Sequence, residues 1–233
     1  MYKGFFITGT GTDIGKTYVT ALILKKLHQA GKKAAYYKAA ISGNARQADG
    51  SLIPGDAAYV QKISGIPQPL AEMCPYVYEK EYSPHLAAQI EGNPVRLDVV
   101  QAGFATLTKK YDTIIAEGSG GILCPIRWDE EKLMLTDVIR ALRLPCLMVA
   151  DAGLGTINSV VLTAFYMRQH NIPVKGVIFN RFRPGHPLHE NNLKMCQELT
   201  GIPVITCVQE GDRELSFTAP ALIKLLEERT EIL

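Results

Sequence analysis

Short continuous apolar runs alternate with stretches of helical periodicity along this chain. The runs are Phe5-Phe6-Ile7 and residues 33–41 (KAAYYKAAI), 112–117 (DTIIAE), 146–150 (CLMVA), 174–180 (VKGVIFN) and 204–207 (VITC). Each is short, and most carry no alternating polar positions, which is the pattern of strands buried on both faces. Between them lie helical segments. The first, residues 16–30, places Val19, Leu22, Ile23, Leu27 and Ala30 on one face and stops at Gly31. Further helices are predicted from Gly55, from Ser83-Pro84, and over 94–110, 133–144, 156–170, 188–200 and 220–228. Strand alternating with helix predicts an α/β fold with a mainly parallel sheet and helices on both faces. No repeat, low-complexity tract or linker interrupts the pattern, so residues 1–233 are expected to form a single domain.

In such sheets ligands bind beyond the carboxyl ends of the strands. Thr8, Lys38, Glu117, Asp151 and Asn180 all fall at such ends. The first strand runs into Gly9-Thr10-Gly11-Thr12-Asp13-Ile14-Gly15, followed by Lys16-Thr17 and a helix. A glycine-rich turn between strand and helix leaves backbone N–H groups pointing inward, and the helix N-terminus adds partial positive charge. Lys16 is placed for β/γ-phosphates and the Thr17 hydroxyl for Mg²⁺. The spacing departs from GxxxxGK[ST], because Thr10 stands where the first glycine belongs and Gly9 lies one residue earlier. The dinucleotide pattern GxGxxG fails at Ile14, and the next strand carries Lys38 instead of an acidic residue, which disfavours a nicotinamide-dependent oxidoreductase.

Lys38 inside an apolar strand needs a partner, and reads as a cation aimed at bound anions. Asp56, taken locally, reads as a helix N-cap. Glu117 ends its strand beside the loop, where a second Mg²⁺ contact is expected. Gly118, Gly120 and Gly121 permit close approach of backbone to a ligand. The N-terminus of the 156–170 helix could hold an anion such as a carboxylate.

Composition narrows the setting. A net charge of +2 without long runs of like charge argues against nucleic acid. The five cysteines, Cys74, Cys124, Cys146, Cys196 and Cys207, are scattered without CxxC, which fits reduced cytosolic thiols. His186 and His189 read as polar loop residues. No 18-residue apolar span exists and the N-terminus enters a strand at once, so neither membrane span nor signal peptide is expected, and the expected location is cytoplasmic.

Taken together, ITGTGTDIGKT, YYKAAISG, Gly55-Asp56, SPHLAA, EGSGG with Pro125-Ile126, GLGTINS and the strand ending at Asn180 resemble the dethiobiotin synthetase family, over about residues 5–207. The resemblance implies a P-loop NTPase-like fold and a ligase that joins 7,8-diaminononanoate and CO₂ at the expense of ATP, through a carbamate and a carbamic-phosphoric anhydride. It implies catalytic roles for Lys16, Lys38 and Thr12, and nucleotide contacts from Gly11, Thr12, Asp13, Ile14, Gly15, Lys16, Thr17 and Asn180. Thr17, Asp56 and Glu117 would hold Mg²⁺. Ser42 and Gly118 would meet the substrate, and Gly155, Thr156, Ile157 and Asn158 would receive its carboxylate across a homodimer interface. Residues 208–212 (VQEGD) depart from the family's nucleobase stretch, and Ala39 stands where many members have proline. Two other readings share the loop. A partitioning-type ATPase would carry a signature lysine at position 11, which is Gly11, and a cobyrinate-type amidoligase would need a glutaminase domain for which there is little room.

Overall fold

The computed structural model describes residues 3–228. Its elements follow the order β1 (Lys3–Gly9), α1 (Lys16–Gln29), β2 (Ala34–Lys38), β3 (Ala40–Ile41), α2 (Gly55–Ser64), β4 (Tyr76–Val77), α3 (Pro84–Ile90), α4 (Leu97–Thr108) and β5 (Thr113–Glu117). Then come β6 (Pro125–Trp128), β7 (Lys132–Met134), α5 (Leu135–Leu142), β8 (Cys146–Asp151), α6 (Thr156–Gln169), β9 (Val174–Asn180), α7 (Pro187–Thr200), β10 (Val204–Cys207) and α8 (Ala219–Glu227). The six apolar runs form a six-stranded sheet in the order β10-β9-β8-β1-β5-β2, every pair parallel.

Alternate residues of each strand feed two separate cores. Phe6, Tyr37, Ile114, Ala116, Met148 and Phe179 face the side covered by α4 to α7. Phe5, Ile7, Tyr36, Ile115, Leu147 and Ile178 face the side covered by α1, α2 and α8. Both faces being covered explains why the strands read as unbroken apolar runs. Register then carries chemistry to one edge of the sheet. Lys38 pairs with Glu117, Glu117 with Ile7, and Asp151 with Asn180.

Two expectations change. The run 33–41 is not one strand but splits after Lys38, and β3 pairs with β4 in a small parallel sheet of its own. The cause is the sheet edge. Gln68 accepts from the Tyr36 amide (2.7 Å) and donates to the Tyr36 carbonyl (3.0 Å), so one side chain closes the open edge of β2, and the chain then turns over the sheet. The segment 133–144 opens as β7 in an antiparallel hairpin with β6, and its helix starts only at Leu135. Arg127, paired with Asp129 (2.8 Å) and Glu131 (2.7 Å), holds that hairpin's turn.

Candidate active site

The glycine-rich loop lies where β1, flanked by β5 and β8, delivers the chain to α1. Gly15 adopts φ +87°, and a Cβ there would stand 2.0 Å from Asn180 Nδ2. The position therefore requires glycine on two counts, backbone conformation and close approach. Asn180 Nδ2 donates to the Ile14 carbonyl (2.9 Å), so the end of β9 props the loop from beneath. Asn180 Oδ1 is buried and has no partner among the described residues. Arg181 bridges further, donating to the Asp13 carbonyl (2.6 Å) and to Asp151 Oδ2 (2.7 Å). Lys16, 7% exposed, folds back on the Gly11 carbonyl at 2.7 Å. Burial, helped by the nearby Lys38 charge, lowers its pKa to about 8.

The facing wall is built from β2, β5 and α2. Lys38 Nζ lies 2.6 Å from Asp56 Oδ2 and 2.8 Å from Glu117 Oε1. Glu117 also accepts from Thr17 Oγ1 (2.7 Å) and Tyr36 OH (3.2 Å), so three side-chain donors surround one fully buried carboxylate. Burial alone would discharge Lys38, but Glu117 and Asp56 outweigh it and hold the lysine's pKa above the ordinary value. Asp56 is not the N-cap that its local sequence suggests. Pro54 occupies that position, and Asp56 sits in the first turn of α2 with its carboxylate turned to Lys38. A charged partner wins over a local cap.

One buried side chain joins these parts. Asn44 donates to the Ile41 and Tyr78 carbonyls (2.8 and 2.7 Å) and accepts from the Gly55 amide (2.8 Å). The Ile41 carbonyl and the Gly55 amide immediately precede Ser42 and Asp56, so Asn44 fixes both residues relative to each other. Ser42 Oγ donates to the Tyr82 carbonyl (2.6 Å).

A cavity of about 800 Å³ opens between the two walls. Of the residues singled out from sequence, Thr12, Asp13, Gly15, Lys16, Thr17, Lys38, Ser42, Asp56, Glu117 and Gly120 line it. Asn180 and Ile14 support the loop from behind, as above. Gly118 is tied to the sheet through the Ile7 carbonyl (2.9 Å), and a Cβ on it would crowd the Leu135 and Phe6 side chains at 2.9 to 3.0 Å, so packing disfavours a larger residue there. Gly155, Thr156, Ile157 and Asn158 begin α6 and are not among the cavity's lining residues, with Leu154 before them 91% exposed. Thr156 Oγ1 is buried without a partner among the described residues. Sequence reasoning missed Tyr36, Asn44, Glu81, Ser119, Cys124 and Arg181, whose importance comes from three-dimensional neighbours. Only the polar Asn44 next to Ser42-Gly43 gave a local hint. His186 is the N-cap of α7, while His189 lies in that helix's first turn and not in a loop as its sequence suggested; their rings are tilted with centroids 4.4 Å apart, and His189 Nδ1 accepts from the Arg183 amide (3.0 Å).

A loop wrapped on a helix N-terminus, a lysine at its end and a carboxylate closing a neighbouring parallel strand define a P-loop nucleotide-binding protein. Solved structures agree on the fold. The chain superposes on a chain of the MinC:MinD cell division protein complex of Aquifex aeolicus with a TM-score of 0.61 at 14% identity, covering 98% of both chains. A ParA family ATPase from Chlorobium tepidum gives 0.56 at 12%, covering 100% of this chain and 92% of that one. A family model described as an AAA domain matches residues 3–213. The ATP-dependent dethiobiotin synthetase of Brachyspira hyodysenteriae is 49% identical over 91% of this chain and 94% of its own length. That of Clostridium botulinum is 43% identical over 98% of this chain and all of its own. The chain belongs to the dethiobiotin synthetase family.

Proposed function

We propose that this protein closes the cyclic urea of dethiobiotin from 7,8-diaminononanoate, CO₂ and ATP, releasing ADP and phosphate. Its family membership supports the overall reaction. The observation that carries the site assignment is the pair of buried lysines, Lys16 on α1 and Lys38 on β2, that reach one cavity from separate walls.

The chemistry follows from what each group can still offer. One substrate amine adds to CO₂ and loses a proton, giving a carbamate. A carbamate oxygen attacks the γ-phosphorus, and the bond to ADP breaks. The second amine then attacks the carbonyl carbon of the mixed anhydride, loses its proton and expels phosphate. Negative charge gathers on the carbamate and the transferred phosphoryl group throughout. Lysine has three N–H donors. Lys38 gives two to Asp56 and Glu117, which leaves one for a carbamate oxygen. Lys16 gives one to Gly11, which leaves two for phosphate oxygens. Thr12 lies on the same wall, and loop N–H groups from Gly11 to Thr17 complete the cradle. Positioning and charge stabilisation are sufficient for this type of transfer.

Thr17, Asp56 and Glu117 offer oxygen donors alone, a hard set that fits Mg²⁺. When bound, Mg²⁺ lowers the charge on the phosphate oxygens. Asn180 Oδ1, which has no partner among the described residues, is suited to accept from the 6-amino group of adenine, where guanine carries a carbonyl. The exposed apolar residues Leu154, Leu162 and Phe165 on and before α6 support a homodimer, in which the α6 N–H groups receive the partner's substrate carboxylate. Unpaired cysteines support a reducing, cytoplasmic setting, and among the described residues no helix is long and apolar enough to cross a membrane. The test is ADP release with diaminononanoate, bicarbonate, Mg²⁺ and ATP. Release should require both diamine and bicarbonate, and release indifferent to the diamine would overturn the reading.

A further inference from the structure

Four carboxylates line the cavity, and they are not equivalent. Asp56 and Glu117 are engaged by Lys38, and Glu117 by Thr17 and Tyr36 as well. Asp13 belongs to the glycine-rich loop, the phosphate wall, and its backbone is held by Arg181. The fourth, Glu81, makes no hydrogen bond or ion pair with any described residue.

Its position is nevertheless fixed by its neighbours. Ser42 Oγ donates to the Tyr82 carbonyl (2.6 Å), and the amides of Gly43 and Tyr82 both donate to the Lys80 carbonyl (3.0 Å each). Gly43 takes φ +75°, and a Cβ on it would lie 3.1 Å from Glu81 Cγ. Glu81 therefore packs against the Ser42-Gly43 turn, on the wall opposite the glycine-rich loop. The cavity's cations, Lys16, Lys38 and Arg181, all have partners on the loop, α2, β5 or β8.

A diamine brings positive charge into this space. Aliphatic amines are largely protonated near neutral pH, and only one nitrogen becomes the carbamate. The other enters beside two lysines, and like charges close together are unfavourable. We propose that Glu81 is a specificity-determining residue that pairs with the substrate's ammonium group on the Ser42 wall. The pairing holds the free amine away from Lys16 and Lys38 until the carbamate has formed. This assignment rests on the diamine reading above.

Steady-state kinetics on the intact protein with diaminononanoate test it. Exposed ion pairs are worth a few-fold in affinity, so Glu81→Gln should raise the diamine KM about three- to fivefold. The KM for ATP and the kcat should stay as in the wild type. Glu81→Asp should fall between the wild type and Glu81→Gln, and Glu81→Lys should raise the diamine KM about tenfold or more. Raising KCl from about 0.05 to 0.5 M shortens the screening length, and should raise the wild-type diamine KM more than that of Glu81→Gln. Glu81 is exposed, so all three variants should melt with the wild type. Loss that tracks melting temperature and not charge, or a Glu81→Gln diamine KM and salt slope equal to the wild type's, overturns the assignment of Glu81 alone. Wild-type ADP release that ignores the diamine overturns the reaction itself, and Glu81's role with it.

Discussion

Lys16 and Lys38 enter one cavity with almost the same exposure, 7% and 6%, yet their surroundings drive them in opposite directions. The glycine-rich wall offers Lys16 a single carbonyl, and burial lowers its pKa to about 8. The β2–β5 wall offers Lys38 two carboxylates, which more than offset an equal burial and raise its pKa. Residue type and depth therefore do not decide charge at this site. The partners do. The protein supplies carboxylate partners for the cation on one wall and only a carbonyl for the cation on the other.

The difference reaches stability with opposite signs. Lys16 has a folded pKa below its unfolded value of 10.5, so between about pH 8 and 10.5 the unfolded chain binds more protons, and this group's contribution to stability rises with pH across that window. Lys38 has a folded pKa above 10.5, so its contribution is complete below 10.5 and is lost as pH rises through the folded value.

The sharpest way to break the contrast is to remove each lysine. Lys16→Ala and Lys38→Ala should each lower kcat about 10²- to 10³-fold, the usual cost of deleting a group that stabilises developing charge. Their melting behaviour should diverge. Lys38→Ala leaves the buried Glu117 without its cation and should cost about 3 kcal/mol or more, whereas Lys16→Ala should stay within about 1 kcal/mol of the wild type. Lys38→Met combined with Glu117→Gln should recover most of that stability and none of the turnover. Equal melting temperatures for the two single alanine variants would mean that the carboxylate clasp is not what distinguishes the walls.

Gly15→Ala comes next. It forces a side chain into φ +87° and into contact with Asn180, so ATP affinity, read by calorimetry with a non-hydrolysable analogue, should fall about tenfold or more while the strands stay folded. The pH dependence of that same affinity sharpens the account of Lys16. A phosphate needs the protonated amine, so the dissociation constant should rise as pH passes 8, by up to about tenfold per pH unit, and the dependence should vanish in Lys16→Met. A flat profile from pH 7 to 9.5 would place the charge on this wall elsewhere. Tyr36→Phe should have the smallest effect. It removes one of three donors to Glu117 and should cost about 1 kcal/mol of stability and a few-fold in turnover.

The sequence revealed the two walls unequally, for the same physical reason. The glycine-rich wall is contiguous in the chain, so the loop, Lys16 and Thr17 declared themselves in a single stretch. The strand alternation likewise exposed the parallel sheet and located Lys38 and Glu117 at strand ends. The second wall is assembled from segments far apart in sequence. That Asp56 faces Lys38 and does not cap α2 depends on the register of β2 with β5 and on Asn44, neither of which leaves a periodic signature. Gln68 closing the edge of β2, and the resulting break before β3, are long-range contacts of the same kind. The β6–β7 hairpin escaped notice because its strands are short and run straight into α5. Arg181 gave no sign because its value lies in spanning Asp13 and Asp151.

Both lysines should serve one reaction in which bicarbonate carbon becomes the carbonyl of a cyclic urea. Supplying ¹³C-bicarbonate with diaminononanoate, Mg²⁺ and ATP, and following product by mass spectrometry beside ADP, measures this directly. Each dethiobiotin formed should carry one ¹³C and each ¹³C should be matched by one ADP, with both lost together in Lys16→Ala and in Lys38→Ala. ADP formed without labelled product, or labelled product retained when either lysine is removed, would contradict it.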